Sequence, residues 1–314
     1  MKRHRRATTL SRQRGVAMLL VVFAVLFLSF IVVGLWEVSQ FSWDESSLER
    51  GRFQAKMLAE SGAALAMHPN VKVGDPVLRQ EFPDGRKIEV RVGTEGGRLL
   101  VTQLDGELFI NATRELFIRW GLDAASASIA SESLADWIDD NDRARTNGAE
   151  TDFYATLKHP EFPGNEDFSS LEQMLLVRGM DKVARIKPDW RDYFTLYGDG
   201  TIDVNEAPAD LLEAFFGTTP DAAASVIATR NGDDGLEGTE DDYRFRGLQE
   251  VQVLLGVSSD QWEEVQDFVS LENSTKRIES IGSVGDEYVY RLITLAEGAD
   301  DNGQGGTTVA RITE

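Results

Sequence analysis

The sequence predicts an α+β protein with a long amino-terminal helix, a small antiparallel sheet and a large inserted all-helical region. Three observations predict this class. An apolar run near the amino end continues into helically spaced apolar residues, strand-like alternation occurs near residue 90 and again near the carboxyl end, and helical patterns fill the interval between the strands. The predicted parts are a helix over 16–67, an α/β unit made of 68–106 and 276–314, and an insertion over 107–275.

The amino-terminal helix contains a predicted membrane span. Residues 16–36 form a run of 21 residues without charge, and at ~1.5 Å per residue such a helix crosses roughly 30 Å of hydrocarbon. The run is longer than the apolar region of a secretory signal, and no convincing cleavage site follows it. Residues 1–15 form a basic leader with six Lys and Arg and no acid. This charge predicts a cytoplasmic amino terminus and an external body.

Composition excludes several classes of function. The 314 residues carry a net charge of −21, so the chain without its leader carries −27, and such an acidic body would repel a nucleic-acid backbone. The chain has no Cys and only three scattered His, which excludes disulfides, thiolate zinc sites and iron–sulfur clusters. No nucleophile elbow or phosphate-binding loop is present in the sequence. We therefore expect a protein that is not an enzyme and does not bind nucleic acid.

Strand patterns stand at both ends of the body. Apolar residues alternate with charged ones from 88 to 92, and the turn 94–97 leads to a second apolar run over 99–104, which together predict a β-hairpin. Three further strands are predicted near the carboxyl end, over 277–283, 287–296 and 307–313.

The insertion contains a weak internal repeat of two helical units. Each unit is predicted to begin a helix at an Asn, Asn111 or Asn205, and to end it at a Gly, Gly121 or Gly217. An Ala-rich second helix follows in each unit, over 124–138 and 221–230, and then an acidic loop. This is helix-hairpin-helix or SAM-like patterning.

The acidic loops offer the best candidate chemistry. Oxygen ligands crowded on a loop suit Ca²⁺, which takes six to eight of them, although neither loop has EF-hand spacing. A solvated acidic loop without metal is the other interpretation. The candidate calcium ligands of the first loop are Asp136, Asp139, Asp142, Glu150 and Asp152.

Two groups of residues resemble a known family. A basic leader, Gly15 and then an uninterrupted apolar helix from Val16 resemble the processing signal of type IV pilins and type II secretion pseudopilins. Leu20 stands at the fifth mature position, where most of these proteins have Glu. Among them the large K-type minor pseudopilin lacks that Glu, and the phrase Leu134-Ala135-Asp136-Trp137-Ile138-Asp139, with Gly148-Ala149-Glu150 after it, resembles a hallmark of this subunit.

The resemblance implies a pilin-like fold and a structural role. The prepilin peptidase would cut between Gly15 and Val16, and Val16 would be methylated. The body would lie in the periplasm, held by a single span of the inner membrane. It would join I-type and J-type minor pseudopilins at the tip of the pseudopilus and help initiate its assembly for protein export across the outer membrane. The resemblance also favours calcium in the first acidic loop. The alternatives are a membrane-anchored calcium-binding adhesin and a type IV pilus tip subunit.

Overall fold

The computed structural model describes residues 7–157, 162–298 and 306–313, and within its first helix the side chains of 16–36 and 48–66. The helices are α1 Ala7–Ala66, α2 Glu107–Arg119, α3 Ala124–Ile138, α4 Thr151–Thr156, α5 Met180–Ile186, α6 Ala209–Phe216, α7 Pro220–Arg230, α8 Leu248–Leu255 and α9 Ser259–Val265. The strands are β1 Arg79–Glu81, β2 Arg86–Thr94, β3 Leu99–Leu100, β4 Phe194–Thr195, β5 Ile202–Asp203, β6 Val269–Ser270, β7 Thr275–Val284, β8 Tyr288–Glu297 and β9 Thr307–Thr313. The predicted fold class is confirmed.

Helix α1 is continuous and begins earlier than predicted. It has 60 residues, so it is about 90 Å long. The predicted span is confirmed as a candidate, since Val16–Trp36 is apolar and exposed along its whole length. The predicted start at residue 16 is wrong, because the helix already includes residues from Ala7 onward. Residues 1–6 of the predicted leader lie outside the described residues.

Residues 51–66 of α1 pack on one face of an antiparallel sheet. The strand order is β1-β2-β7-β8-β9. Strand β2 alternates as its sequence predicts, with Ile88, Val90 and Val92 buried and Glu89 exposed. The helix meets these strands through small residues, Ala59 and Ala63 among them. Gly282 of β7 allows this approach, because a Cβ there would overlap the backbone of α1 at Ala55 and Ala59.

The predicted hairpin over 88–104 is wrong. Strand β2 pairs with β7, and Thr94 lies opposite Lys276. The predicted turn is a 3-10 turn over Glu95–Gly97, and after it β3 runs parallel to β4. Alternation identified β2 as a strand, but its partner lies about 190 residues away. The three carboxyl-terminal strands are found close to their predicted ranges.

Helices α2–α9 form a second core between β2 and β7. Helix α2 packs against α3 and α6, and α6 packs against α7, with Phe109 and Phe215 in contact at 5.9 Å between ring centroids. The prediction that Asn111 begins a helix is wrong, because α2 begins at Glu107 and Asn111 lies inside it. Helix α6 begins at Ala209, after Pro208, and ends at Gly217 in a left-handed conformation with φ 63°. Buried Asn205 instead bonds the backbone of Phe245 and Leu271.

Candidate metal centre

The end of α3 and the start of α4 bring three acidic residues together. Asp123 caps α3, accepting a hydrogen bond from the Ser126 amide at 2.9 Å, and this cap fixes where the helix begins. Asp136 and Asp139 lie one turn apart at the other end of α3, so they share a side of the helix. Glu150 precedes the first turn of α4. The loop between the helices therefore closes back on the end of α3.

The three carboxylates form a compact buried group. Each of Asp136, Asp139 and Glu150 offers an oxygen, and these oxygens lie within 4.8 Å of one another. Asp136 is fully buried, and Glu150 is only 4% exposed. Three negative charges this close and this poorly hydrated repel each other strongly, so the group requires a cation or protons.

Arg145 supplies one positive charge to the group. Its Nη1 donates to Asp136 Oδ1 at 2.7 Å and to Asp139 Oδ2 at 2.5 Å, and its amide donates to Asp136 Oδ2 at 3.1 Å. Burial raises the pKa of Asp136, and the bonds from Arg145 oppose that rise. The guanidinium therefore neutralises part of the charge of two carboxylates.

Glu150 is the unsatisfied member of the group. Both of its carboxylate oxygens are buried, and neither has a hydrogen-bond partner among the described residues. Burial, followed by the charges of Asp136, Asp139 and Asp142, raises the pKa of Glu150 to about 7. A buried carboxylate without a donor is costly. Its two oxygens are therefore available to a cation or a proton.

The surrounding residues restrict the positions that the three carboxylates can take. A Cβ on Gly148 would overlap the Asp136 carboxylate, so glycine is needed where the loop passes. Trp137, next to Asp136 in α3, and Tyr154 of α4 meet edge to face, with 5.5 Å between ring centroids. The Tyr154 hydroxyl accepts a hydrogen bond from the Arg178 amide at 3.2 Å. The centre is thus held on rigid, packed elements.

Two other predicted ligands lie outside this group. Asp142 is exposed and accepts a hydrogen bond from Asn165 Nδ2 at 3.1 Å, although its charge reaches Glu150. Asp152 is exposed in the first turn of α4. The all-oxygen donor set and the orphaned Glu150 fit a hard divalent cation such as Ca²⁺.

Several acidic side chains of the second loop accept hydrogen bonds from backbone amides of that same loop. Asp241 accepts hydrogen bonds from the amides of Asp233 and Asp234 at 2.7 and 3.1 Å, and Asp242 accepts from the Gly238 amide at 2.7 Å. Glu237 pairs with Arg91 and Arg230. Within the described residues, the grouping of acids expected of a metal site occurs in the first loop and not in the second.

The predicted processing residues lie at the start of the candidate membrane span. Gly15 and Val16 are both inside α1, and Val16 is the first residue of the apolar span. The apolar helix is compatible with a single-pass membrane anchor.

Sequence reasoning missed the roles of Arg145 and Gly148. Arg143 and Arg145 are basic residues inside an acidic loop, and this charge anomaly was the available signal, although it does not distinguish the two. No role was predicted for Gly148 itself, because a close approach between a loop and a helix has no local signature in the sequence.

Comparisons with known proteins confirm the resemblance. Residues 100–188 match the family model described as type II secretion system (T2SS), protein K. The matched segment contains α2–α5 and therefore the whole candidate metal centre.

Two curated proteins and a solved structure are also similar to the chain. The type II secretion system protein K of Dickeya chrysanthemi is 23% identical, over 54% of this chain and 62% of that protein. The same-named protein of Klebsiella pneumoniae is 22% identical, over 62% of this chain and 66% of that protein. The chain thus spans just under two thirds of the length of these relatives. The fold matches a chain in the crystal structure of the GspK-GspI-GspJ complex from enterotoxigenic Escherichia coli, with a TM-score of 0.57, 16% identity and coverage of 88% and 98%.

Proposed function

We propose that this chain is a K-type minor pseudopilin, a non-enzymatic structural subunit at the tip of a type II secretion pseudopilus. In this role it helps initiate assembly of the pseudopilus for export of proteins across the outer membrane. The observation that carries the proposal is the match of residues 100–188 to the protein K family model. This segment lies in the helical insertion, which a minimal helix-and-sheet subunit would not need.

The tip position follows from Leu20 and from the size of the body. Leu20 has no charge to pair with the amino terminus of a neighbouring subunit above it. The helical insertion also adds bulk on top of the sheet and α1. A subunit with both properties can end a fibre more easily than it can extend one.

The membrane arrangement follows from the amino-terminal residues. The prepilin peptidase cuts after Gly15 on the cytoplasmic side, and Val16 becomes the methylated first residue. Val16–Trp36 then anchors the chain in the inner membrane, and the acidic body lies in the periplasm, as the basic leader directs.

Calcium binds at the group formed by Asp136, Asp139 and Glu150. The support is the donor set and the two buried Glu150 oxygens without a hydrogen-bond partner. A divalent cation there balances the charge that Arg145 leaves uncompensated. It also ties the end of α3 to the start of α4, and so stiffens the matched segment.

The I-type and J-type minor pseudopilins are the expected partners, because the similar chain belongs to a solved GspK-GspI-GspJ complex. The test mixes the full chain in detergent micelles with these two subunits and measures the mass of the complex with calcium and with a chelator. A stable complex of the three subunits supports the proposal. If the chain stays alone in both conditions, it is an adhesin or the tip of another fibre.

A matched pair of variants tests the calcium site. Glu150→Gln keeps the shape of the buried side chain and removes its charge, whereas Asp152→Asn makes the same change at an exposed residue of α4. Titration calorimetry of the full chain with Ca²⁺ should show a loss of affinity of about tenfold or more for the first variant. The second variant should bind as the parent does. Equal behaviour of the two variants, or no binding by the parent, contradicts the site.

A further inference from the structure

A surface groove lies between one end of the sheet and the helical insertion. Its volume is about 860 Å³, within the range of roughly 300–1,000 Å³ that ligand sites occupy. The end of β2 and the start of β7 line it, together with residues 244–246 and 270–272 of the insertion. Lys72 and Val73, which follow α1, also belong to the lining. The groove therefore forms where three separate parts of the chain meet.

The lining of this groove is mostly cationic, whereas the body as a whole is strongly acidic. Among the described residues that line it, one is acidic, Glu272, and four are cationic: Lys72, Arg244, Arg246 and Lys276. This local excess of positive charge is an exception on a surface that otherwise repels anions.

The four cations differ in how far they are already compensated. Lys72 and Arg246 are exposed, and neither forms an ion pair with a carboxylate of the described residues. Arg244 lies 3.0 Å from Glu206 Oε1, but the same carboxylate also pairs with a second guanidinium, at 2.9 Å. Lys276 is buried and already interacts with another residue. Lys72 and Arg246 are therefore the cations that can contact a ligand directly.

Apolar side chains lie among these cations. Val73, Leu248 and Leu271 line the groove and are half-buried. Asn205 also lines it, but its amide group already bonds the backbone of Phe245 and Leu271. A small inorganic anion would leave the apolar side chains uncovered, and an uncharged apolar ligand would leave the cations without partners. The lining suits a ligand that carries both carboxylates and apolar side chains.

We propose that this groove binds an acidic peptide segment of a partner protein, one that carries apolar side chains as well as carboxylates. The carboxylates meet Lys72 and Arg246, and the apolar side chains cover Val73 and Leu271. Because the rest of the body repels such a segment, charge complementarity favours this groove over the remaining surface. The groove is separate from the metal centre, and the proposal does not depend on the chain acting in secretion.

The neighbouring cavity limits where the segment can lie. Acids of the second loop, among them Glu240 and Asp242, line this smaller cavity of about 170 Å³, which shares Val73 and Arg244 with the groove. Those acids would repel the carboxylates of the segment. We therefore expect the segment to extend from Val73 toward Arg246 and not into the neighbouring cavity.

Titration calorimetry on the full chain in detergent micelles tests the proposal, with empty micelles as the blank. The probes are capped peptides of equal length: ELDLE has both features, QLNLQ lacks the carboxylates, and ESDSE lacks the apolar side chains. ELDLE should bind about tenfold or more tightly than either of the others. No binding of ELDLE, equal binding of ELDLE and one of the other peptides, or displacement of ELDLE by an equal concentration of inorganic phosphate overturns the proposal.

A double variant locates the peptide. Lys72→Glu combined with Arg246→Glu should weaken ELDLE binding about tenfold or more, because two attractive charges become repulsive. Lys56→Glu combined with Arg143→Glu is the matched control, since it makes the same change in net charge at exposed residues outside the groove. The control should bind as the parent does. Equal losses in the two double variants would show that net charge alone decides, and would overturn the proposal.

Glu272→Gln tests the same site with the opposite sign. It removes the acidic residue from the lining and should strengthen ELDLE binding roughly twofold to fivefold, the effect of one exposed charge. Loss of folding cannot produce such a gain. Unchanged or weaker binding by Glu272→Gln overturns the proposal even if the double variant at Lys72 and Arg246 fails to fold.

Discussion

Arg145 is the residue on which the charge balance of the metal centre depends. It bonds oxygens of Asp136 and Asp139 that a cation would also use. Arg145→Gln should therefore raise calcium affinity and lower the stability of the metal-free protein by roughly 1–3 kcal/mol, the cost of a lost bond to a buried charge. Calcium titration and thermal unfolding with and without chelator measure both effects.

Arg143→Gln is the control for this prediction, because Arg143 is an exposed basic residue of the same loop. It should change neither quantity. A fall in calcium affinity for Arg145→Gln would mean that the guanidinium orders the carboxylates for the metal rather than competing with it.

Glu150 should make stability depend on pH. Its pKa is about 7 in the folded protein, against an ordinary value of 4.5. Between these values the folded state holds a proton that the unfolded chain has released. The stability of the metal-free protein should therefore fall as pH rises from 4.5 to 7, and Glu150→Gln should flatten this fall.

Calcium should reverse this dependence of stability on pH, because it binds the deprotonated carboxylate of Glu150. Its affinity should decrease about tenfold for each pH unit below 7. Unfolding curves at a series of pH values, with and without calcium, check both directions. If the stability of the metal-free protein instead rises between pH 4.5 and 7, Glu150 is not buried without a compensating charge.

The sequence indicated which residue types could bind calcium but not which of them meet. Asp136, Asp139 and Asp142 look alike as acids near the end of a helix. Only the path of the loop, set by Gly148 and the Arg145 bonds, buries the first two with Glu150 and leaves Asp142 exposed. That selection depends on tertiary contacts, which residue spacing does not encode.

At the scale of elements, the contact between α1 and the sheet depends on Gly282, which has no side chain. Gly282→Ala would force β7 away from the backbone of α1 at Ala55 and Ala59. Overpacking of this kind costs roughly 1–3 kcal/mol. Thermal unfolding should show a midpoint lower by several degrees, since about 1 kcal/mol shifts a domain of this size by ~2–4 °C.

Ser283→Ala is the matched control, because successive side chains of a strand point to opposite faces. It should leave the unfolding midpoint nearly unchanged. Equal losses for Gly282→Ala and Ser283→Ala would show that strand propensity, and not the approach of the helix, sets the requirement at residue 282.

The elements themselves were largely predictable, and their partners were not. Periodicity identified α1, β2 and the three carboxyl-terminal strands, because one buried face imposes its spacing on the residues. The predicted hairpin failed because pairing between β2 and β7 spans the whole insertion. The predicted helix start at Asn111 failed because Asn is also tolerated inside a helix, where Asn111 accepts a hydrogen bond from Arg114 at 2.7 Å.

At the scale of the whole molecule, processing is the most direct test of the proposed role. Protein extracted from membranes of cells that contain a prepilin peptidase should have Val16 as its first residue. Amino-terminal sequencing and intact mass measure this, and the mass should include one methyl group.

Cells without the peptidase provide the control, in which the chain should keep its basic leader. A first residue of Met1 in the presence of the peptidase, or one beyond Trp36, would contradict processing at Gly15. Loss of the apolar segment would also remove the membrane anchor.

The pairing of Thr94 with Lys276 constrains how the chain can fold. The sheet cannot join β2 to β7 until about 180 further residues have been synthesised. During that interval β2 exposes an unpaired edge, and such edges favour aggregation. Helices α2–α9 pack into a core of their own, and the formation of this core brings the two ends of the insertion together. The insertion thus reduces the conformational search that precedes pairing of β2 with β7. This effect is separate from any surface that the insertion offers to partners.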